Sequence, residues 1–148
     1  MTTRTSPATE PRTSPSDPST PSGRTTVLTD PAQVHDAFMA ATNAKDVDGL
    51  LALYDTDGVA VELDGSQCTG AEAMRAMFVG LTTAIAHIDG STRKLLVAGD
   101  VALSSASWTA EVVLPDGSVV EQHGLTAEVS VRRPDGTWRV LIDDPLFA

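Results

Sequence analysis

Two hydrophobic periodicities divide the chain. In the first half, apolar side chains recur every three or four positions, which is the spacing of amphipathic helices. Three helices are predicted: one after the capping sequence Thr29-Asp30-Pro31, one from Asp46 to Tyr54, and one that starts at Gly70. A short strand, Val59–Leu63, lies between the second helix and the third.

After His87 the alternation has a period of two, which is typical of strands with one buried face. The predicted strands are Thr92–Ala98, Val101–Leu114, Val119–Val131 and Trp138–Asp144. Sequences rich in Gly, Pro and Asp separate these strands and predict turns. Helices followed by long antiparallel strands predict an α+β fold, and strands of this length must twist. We therefore expect a curved antiparallel sheet wrapped around three N-terminal helices.

The strand faces predict which residues meet across the sheet. Loops of two or four residues between the strands bring the more apolar faces together. In that register Ala127 lies opposite Ala106 on one side and opposite Asp144 on the other. The turn at residues 99–100 places Arg93 opposite Ala106. One row across the sheet then reads Arg93, Ala106, Ala127, Asp144.

This row predicts a pocket. Two alanines in the middle of the inner face leave volume unfilled beneath the helices, whereas a packed core would place larger groups there. The same register puts His123 on the inner face and Leu125 opposite Trp108. Arg93, His123 and Asp144 would then surround the hollow, and buried charge needs a partner or a ligand. An apolar pocket with a few polar groups is the usual form of a small-molecule site.

Residues 1–28 differ from the rest of the chain. Prolines recur through a background rich in Ser and Thr that has almost no large apolar side chain. Such a segment cannot bury enough surface to offset the entropy of ordering it. We predict a disordered tail over residues 1–28 and one folded domain over residues 29–148.

Charge and composition exclude several classes of protein. The chain has 10 basic and 20 acidic residues, a net charge of −10, which argues against nucleic-acid and anionic-membrane partners. No apolar run approaches the ~20 residues that span a bilayer. The single cysteine, Cys68, and three widely spaced histidines predict neither a metal site nor a cofactor. With no apolar leader, the expected location is the cytoplasm.

Three stretches carry a family resemblance, and they follow one another in a characteristic order. The stretches are residues 43–59, which begin Asn43-Ala44-Lys45-Asp46-Val47-Asp48-Gly49-Leu50; residues 64–74, with Asp64-Gly65 and Thr69-Gly70-Ala71-Glu72; and residues 133–145, with Pro134-Asp135-Gly136-Thr137-Trp138 and Asp143-Asp144-Pro145. Over about residues 30–148 the chain resembles the nuclear-transport-factor-2-like superfamily, in its SnoaL-like and ketosteroid-isomerase-like group. The resemblance implies a cone, with a curved sheet around three helices and a pocket in its mouth.

The resemblance implies a fold without defining a reaction, because relatives include isomerases, cyclases, hydrolases, dehydratases and binding proteins. The acid–base set of the ketosteroid isomerases does not carry over. The position of their base falls at Leu63 or Asp64, their oxyanion-donor aspartate falls near Thr126, and the first helix offers no tyrosine.

The sequence therefore predicts a cofactor-independent pocket protein for an apolar or aromatic metabolite, with isomerase, cyclase or hydrolase chemistry if it is an enzyme. In that case His123 and Asp144 would move protons. The predicted ligand contacts are Phe38, Phe78, Arg93, Ala106, Trp108 and Ala127.

Two other interpretations stay open at this level. In the first, the protein is a non-catalytic binding or accessory subunit of the same fold. In the second, it is a structural dimer with a vestigial pocket. His123 would be a hydrogen-bonded residue near the open end of the sheet. Asp144 would cap nearby backbone N–H groups or pair with Arg93.

A homodimer is also predicted. The register points an apolar set toward the outer sheet face, namely Leu96, Val101, Leu103, Val113 and Leu141. Monomers rarely leave such a patch exposed. The family resemblance likewise implies dimers that form through the sheet.

Overall fold

The computed structural model describes residues 26–147. A short 3-10 turn, Pro31–Gln33, precedes three helices, which are α1 (Val34–Asn43), α2 (Val47–Leu53) and α3 (Ala71–Ala84). The seven strands are β1 (Tyr54–Val61), β2 (Gln67–Thr69), β3 (Ile85–Ala98), β4 (Val101–Val113), β5 (Val119–Leu125), β6 (Ala127–Arg132) and β7 (Trp138–Asp144). Residues 1–25 of the predicted tail lie outside the described residues.

Local sequence explains where the helices begin. The Asp30 side chain accepts a hydrogen bond from the Ala32 N–H at 2.9 Å, and Gln33 bonds back to the Asp30 N–H. Asp46 caps α2 in the same manner by accepting from the Gly49 N–H at 2.8 Å. Each cap satisfies a backbone donor that has no partner inside the helix.

The α+β fold is confirmed, with three helices packed against one face of a curved, open sheet. The strand order is β2-β1-β7-β6-β4-β3, and β5 extends the sheet by pairing with β4. The sheet is mixed, because β1 and β7 run parallel while the other pairs are antiparallel. The long strand β4 therefore joins β3 on one side to β5 and β6 on the other.

The predicted register of β4 against the next strand is wrong by one residue. The connecting loop has three residues, since the Leu114 N–H donates to the Ser118 carbonyl at 2.8 Å, and Gly117 completes the turn with a φ of +83°. Gly124, and not Leu125, therefore lies opposite Trp108. A one-residue shift exchanges the two faces of a strand. As a result His123 and Ala127 lie on the outer face, and Glu128 is buried on the inner face.

Two bulges change which residues of the neighbouring strands face the helices. In β3 the pairing shifts between Thr92 and Lys94, so Arg93 is the extra residue and does not lie opposite Ala106. In β7 Leu141 is the extra residue, because Val140 and Ile142 pair with consecutive residues of β6. A bulge of this kind reverses the alternation that follows it. Asp143 therefore faces inward in place of Asp144.

One predicted pairing is nevertheless correct, because Asp144 lies opposite Ala127. On the same two strands, Ile142 lies opposite Val129. The loop after Arg133 again has three residues, which shifts the register by one, and the bulge at Leu141 shifts it back.

The core lies between the helices and the inner sheet face. Phe78, Leu50 and Leu53 are almost completely buried, and the rings of Phe78 and Tyr54 pack with centroids 5.1 Å apart. Burial of each such side chain contributes about 1.5–3 kcal/mol. Leu28 also belongs to this core, with 2% of its surface exposed and its carbonyl accepting from the Trp138 N–H at 2.8 Å. Leu28 therefore packs with the residues of the folded domain that follow it.

Candidate functional site

A cavity of about 520 Å³ lies between the helices and the inner face of the sheet. Its walls are mainly apolar and include Phe38, Met39, Phe78, Leu81, Ile88, Ala106, Trp108 and Ala110. The small side chains of Ala106 and Ala110 on β4 leave room beneath the helices. Cavities of this size and lining are typical of small-molecule sites.

Trp108 is fixed in the cavity wall by the segment that follows β7. Its indole Nε1 donates to the Pro145 carbonyl oxygen at 2.8 Å. Gly124 on β5 makes space for this arrangement, because a Cβ atom there would come within 2.7 Å of both the indole and the Leu146 side chain. The rotamer of Trp108 is thus set by neighbours on two sides.

A tyrosine and an aspartate form the first polar pair of the cavity. Tyr54 begins β1, directly after α2, and its hydroxyl donates to Oδ2 of Asp143 on the neighbouring strand β7. Burial raises the pKa of Asp143 to about 7, against the lowering effect of the Tyr54 hydrogen bond and with a further rise from the Glu128 charge. Burial, and then the Asp143 charge, also raises the pKa of Tyr54 well above its ordinary value. Near neutral pH the Tyr54 phenol therefore keeps its proton, whereas the Asp143 carboxyl group can both gain and lose one.

A histidine and a glutamate form the second polar pair. His35 on α1 lies with Nε2 2.8 Å from Glu128 Oε2 and with Nδ1 2.7 Å from the Thr92 hydroxyl. Ser104 donates to the same Glu128 oxygen at 3.2 Å. A neutral imidazole with its proton on Nε2 satisfies both contacts, by donating to Glu128 and accepting from Thr92. These bonds join α1, β3, β4 and β6 around one buried carboxylate.

Four of the predicted site residues line the cavity, namely Phe38, Phe78, Ala106 and Trp108. The other four do not. Arg93 is the exposed bulge residue of β3, and His123 is exposed on the outer face opposite Thr109. Ala127 lies on the same outer face of β6, opposite Asp144. The register on which their predicted roles depended is corrected by the three-residue loop and the bulges.

Asp144 also lies outside the cavity lining. Its Oδ1 accepts from the Leu146 N–H at 3.0 Å, which is the capping role that the sequence left open. The bulge at Leu141 turns this carboxylate away from the helices and turns Asp143 toward them.

Sequence reasoning did not find Tyr54, Asp143, His35 or Glu128 as site residues. The signal for Glu128 lay in the loops Pro115-Asp116-Gly117-Ser118 and Pro134-Asp135-Gly136-Thr137. In both loops the residue after Gly bonds back to the Asp carboxylate at 2.9 Å, as in three-residue hairpins that end with a glycine in the left-handed region. An odd loop length would have turned the polar face of β5 and β6 inward.

Across residues 26–147, no helix is both long enough and apolar enough to cross a membrane. In the same part of the chain, no group of three or more His, Cys, Asp and Glu side chains is arranged to hold a metal ion.

The fold and the cavity define an α+β cone, and comparison with known proteins gives its family. The family model of the SnoaL-like domain matches residues 35–140, and the chain belongs to this family. The predicted resemblance to the nuclear-transport-factor-2-like superfamily is thereby confirmed. A comparison with curated proteins finds no match.

Solved structures share the fold at low sequence identity. A ketosteroid isomerase-like protein from Erwinia carotovora atroseptica SCRI1043 is similar with a TM-score of 0.69 and 14% identity, over 75% of this chain and 88% of that chain. An NTF2-like superfamily protein from Salmonella enterica serovar Typhimurium LT2 has a TM-score of 0.65 and 14% identity, over 76% and 84%.

A third structure, from Streptomyces avermitilis, has a name that proposes a dehydratase of the NTF2-like family. Its TM-score is 0.64 at 20% identity, over 78% of this chain and 93% of that chain. Identities at this level support the shared fold alone, so the chemistry must come from the site.

Proposed function

We propose that this protein binds an apolar or aromatic small molecule in its cavity and moves a proton on it with Asp143. The proposal rests chiefly on one observation, a half-buried carboxyl group with a pKa of about 7 on the wall of a mainly apolar cavity. General acid–base catalysis works best when the pKa of the catalytic group lies near the working pH. A perturbed carboxyl in a cleft is therefore a candidate catalytic group.

The chemistry that fits is the relocation of a proton within one substrate. The Asp143 carboxylate would take a proton from a carbon next to a carbonyl group, and the resulting carboxylic acid would return that proton at another atom. Tyr54 would orient Asp143 through its hydrogen bond and would keep its own proton, because its pKa is raised. The apolar walls would exclude water, which strengthens electrostatic interactions within the site.

A neutral carbonyl probe tests this proposal. 2-Tetralone has an apolar two-ring body and carbon-bound protons next to its carbonyl. We expect the protein to accelerate exchange of those protons for deuterium in heavy water, as followed by NMR. Asp143→Asn should reduce the acceleration by about 100-fold or more. Glu111→Gln, which removes one exposed carboxylate on the outer face, should leave it unchanged. Equal rates in wild type and Asp143→Asn would contradict the catalytic role.

A non-catalytic binding protein is the second candidate. The polar groups of the cavity favour this candidate, because they already form hydrogen bonds with one another. Both ring nitrogens of His35 and the hydroxyl of Tyr54 have partners within the protein. The same measurement separates the two candidates. Binding of 2-tetralone without accelerated exchange would support a carrier or accessory role.

We also infer that the protein forms a homodimer through the outer sheet face. One row across four strands is apolar on that face, from Leu96 through Leu103 and Val129 to Ile142. Leu96, Leu103 and Ile142 are 53%, 49% and 45% exposed. Ile142 takes the outward position expected for Leu141, because of the bulge. Continuous apolar patches are uncommon on monomers.

Light scattering coupled to size-exclusion chromatography tests the dimer. We expect a mass of about twice 15.4 kDa for wild type. Leu103→Lys at the middle of the row should shift the mass to that of one chain. Val27→Lys, an exposed apolar residue ahead of the first helix, is the matched control. A monomeric wild type would refute this inference and leave the cavity proposal unaffected.

A further inference from the structure

The ionisable groups around the cavity are almost all acidic. Glu62, Asp64, Glu128 and Asp143 line it, together with His35, and no lysine or arginine of the described residues does so. Asp64 lies at the exposed rim, where hydrogen bonds from Ser66 lower its pKa and keep it ionised. A bound group near these side chains therefore meets negative charge from the rim to the interior.

The two interior carboxylates each leave one oxygen without a protein partner. Glu128 is only 5% exposed, and both His35 and Ser104 contact its Oε2. Asp143 accepts from Tyr54 at Oδ2. Among residues 26–147, neither Glu128 Oε1 nor Asp143 Oδ1 has a hydrogen-bond donor. Neither oxygen is completely buried, so each remains open to the cavity and suits a ligand that brings donors of its own.

We propose that the cavity takes a ligand with an apolar, aromatic body and a positively charged nitrogen, held at the end where Asp143 and Glu128 meet. This inference rests on the proposed function, because it assumes that the same cavity binds the ligand. It specifies in addition that the ligand is positively charged. An ammonium group carries several donors and no acceptor, which matches two free carboxylate oxygens. The aromatic side chains of Phe38, Tyr54 and Trp108 suit both the body and a cation beside it.

The same lining disfavours an anionic ligand. A carboxylate or phosphate group would meet Asp143 and Glu128 with no lysine or arginine among the described lining residues to offset the repulsion. The proposal also agrees with the role of Asp143 as a base. A neighbouring cation favours the ionised form of a carboxyl group, so the bound ligand would hold Asp143 ready to accept a proton.

Three probes with one aromatic body isolate the charge of the polar group. They are 2-naphthylmethylamine, 2-naphthylmethanol and 2-naphthoate, whose polar groups are cationic, neutral and anionic at neutral pH. Calorimetry on the full chain measures their affinities. We expect the amine to bind at least about tenfold more tightly than the alcohol, and the carboxylate to bind most weakly.

Two variants test which charge is responsible. Asp143→Asn keeps the shape of the side chain and should reduce amine affinity by about tenfold, while alcohol affinity changes by less than about threefold. Glu111→Gln removes the same amount of charge from the outer sheet face and should leave the preference intact. Loss of the preference in both variants would assign it to overall charge and overturn the proposal.

The pH dependence gives a second measurement on wild type. The groups that act on Asp143 are Tyr54 on β1, Glu128 on β6, His35 on α1 and its neighbour Asp144. Because Asp143 loses its proton near pH 7, amine affinity should rise between about pH 5.5 and about pH 8, where the amine stays protonated. The alcohol should show no such rise. A flat amine profile would overturn the proposal.

The outcomes separate this inference from the proposed function. If the alcohol binds as tightly as the amine, or the carboxylate binds best, the cationic ligand is refuted and the apolar cavity still binds small molecules. If none of the three probes binds, both the cationic ligand and the apolar-ligand pocket are refuted.

Discussion

Two carboxylates line one cavity and are held in different ways. Glu128 is contacted at one oxygen by His35 and Ser104, and His35 is itself held by Thr92. Within residues 26–147, Asp143 has a single donor, the Tyr54 hydroxyl, and burial raises its pKa to about 7. The first arrangement links four elements of secondary structure, whereas the second leaves a group that titrates near neutral pH. Within one site, the number of donors separates a structural carboxylate from a candidate catalytic one.

The largest expected effect comes from breaking the pair around Glu128. His35→Ala should lower the free energy of unfolding by about 3–5 kcal/mol, because a buried carboxylate loses its main partner. His123→Ala is the matched control, since this histidine is exposed on the outer face, and it should change stability by less than about 0.5 kcal/mol. Chemical denaturation measures both. Similar losses in the two variants would show that the His35–Glu128 pair has no special structural role.

A smaller effect should appear in the pH dependence of stability. The folded-state pKa of Asp143 is raised, so between about pH 4 and about pH 7 the folded protein holds a proton that the unfolded chain has lost. Stability from this group is therefore present at low pH and is lost as pH rises through that range. The loss should be about 1–3 kcal/mol, because partial exposure screens the full effect.

Denaturation curves of wild type and Asp143→Asn across this range isolate the contribution. The unfolding free energy of wild type should fall relative to that of Asp143→Asn as pH rises. Asp144→Asn should retain the wild-type slope, since Asp144 caps the Leu146 N–H outside the cavity. A pH-independent difference between wild type and Asp143→Asn would mean that Asp143 titrates normally.

The smallest effect is expected from Tyr54→Phe. Removal of the hydroxyl should cost about 1 kcal/mol of stability, the typical value of one hydrogen bond. The pKa of Asp143 should rise further, because the Tyr54 bond now lowers it. A carbon-detected NMR titration of the Asp143 carboxyl group measures that shift. A fall in the pKa would show that the phenol does not stabilise the ionised form.

Sequence alone predicted the fold well because helices carry local signals. The caps at Asp30 and Asp46 and the apolar periodicity of α1 to α3 are short-range features, and the structure confirms three helices against a curved sheet. The turn sequences likewise placed the strand ends beside the turns to within a few residues. The start of β3 was predicted wrongly, since this strand begins at Ile85 and not at Thr92. The predicted strand Val119–Val131 is divided into β5 and β6.

The candidate site was harder to predict because a period of two does not say which face is inside. On β5 and β6 the outer face is the more apolar one, with Leu125 and Val129, while Glu128 and Ser130 are buried. Hydrophobicity therefore favoured the wrong face. The faces were decided instead by an odd loop length and by bulges at Arg93 and Leu141, and each of these is a single-residue feature.

The bulge at Leu141 also has a bearing on how this site tolerates change. It selects Asp143 for the cavity and Asp144 for the outside, and the two acids are neighbours in the chain. If an insertion or deletion upstream in β7 shifted the alternation by one, Asp144 would take the inward position. The inward side chain would then still be a carboxylate, although it would belong to the next residue of the chain. A tandem of two aspartates thus keeps a carboxylate at the inward position in either alternation of this part of β7.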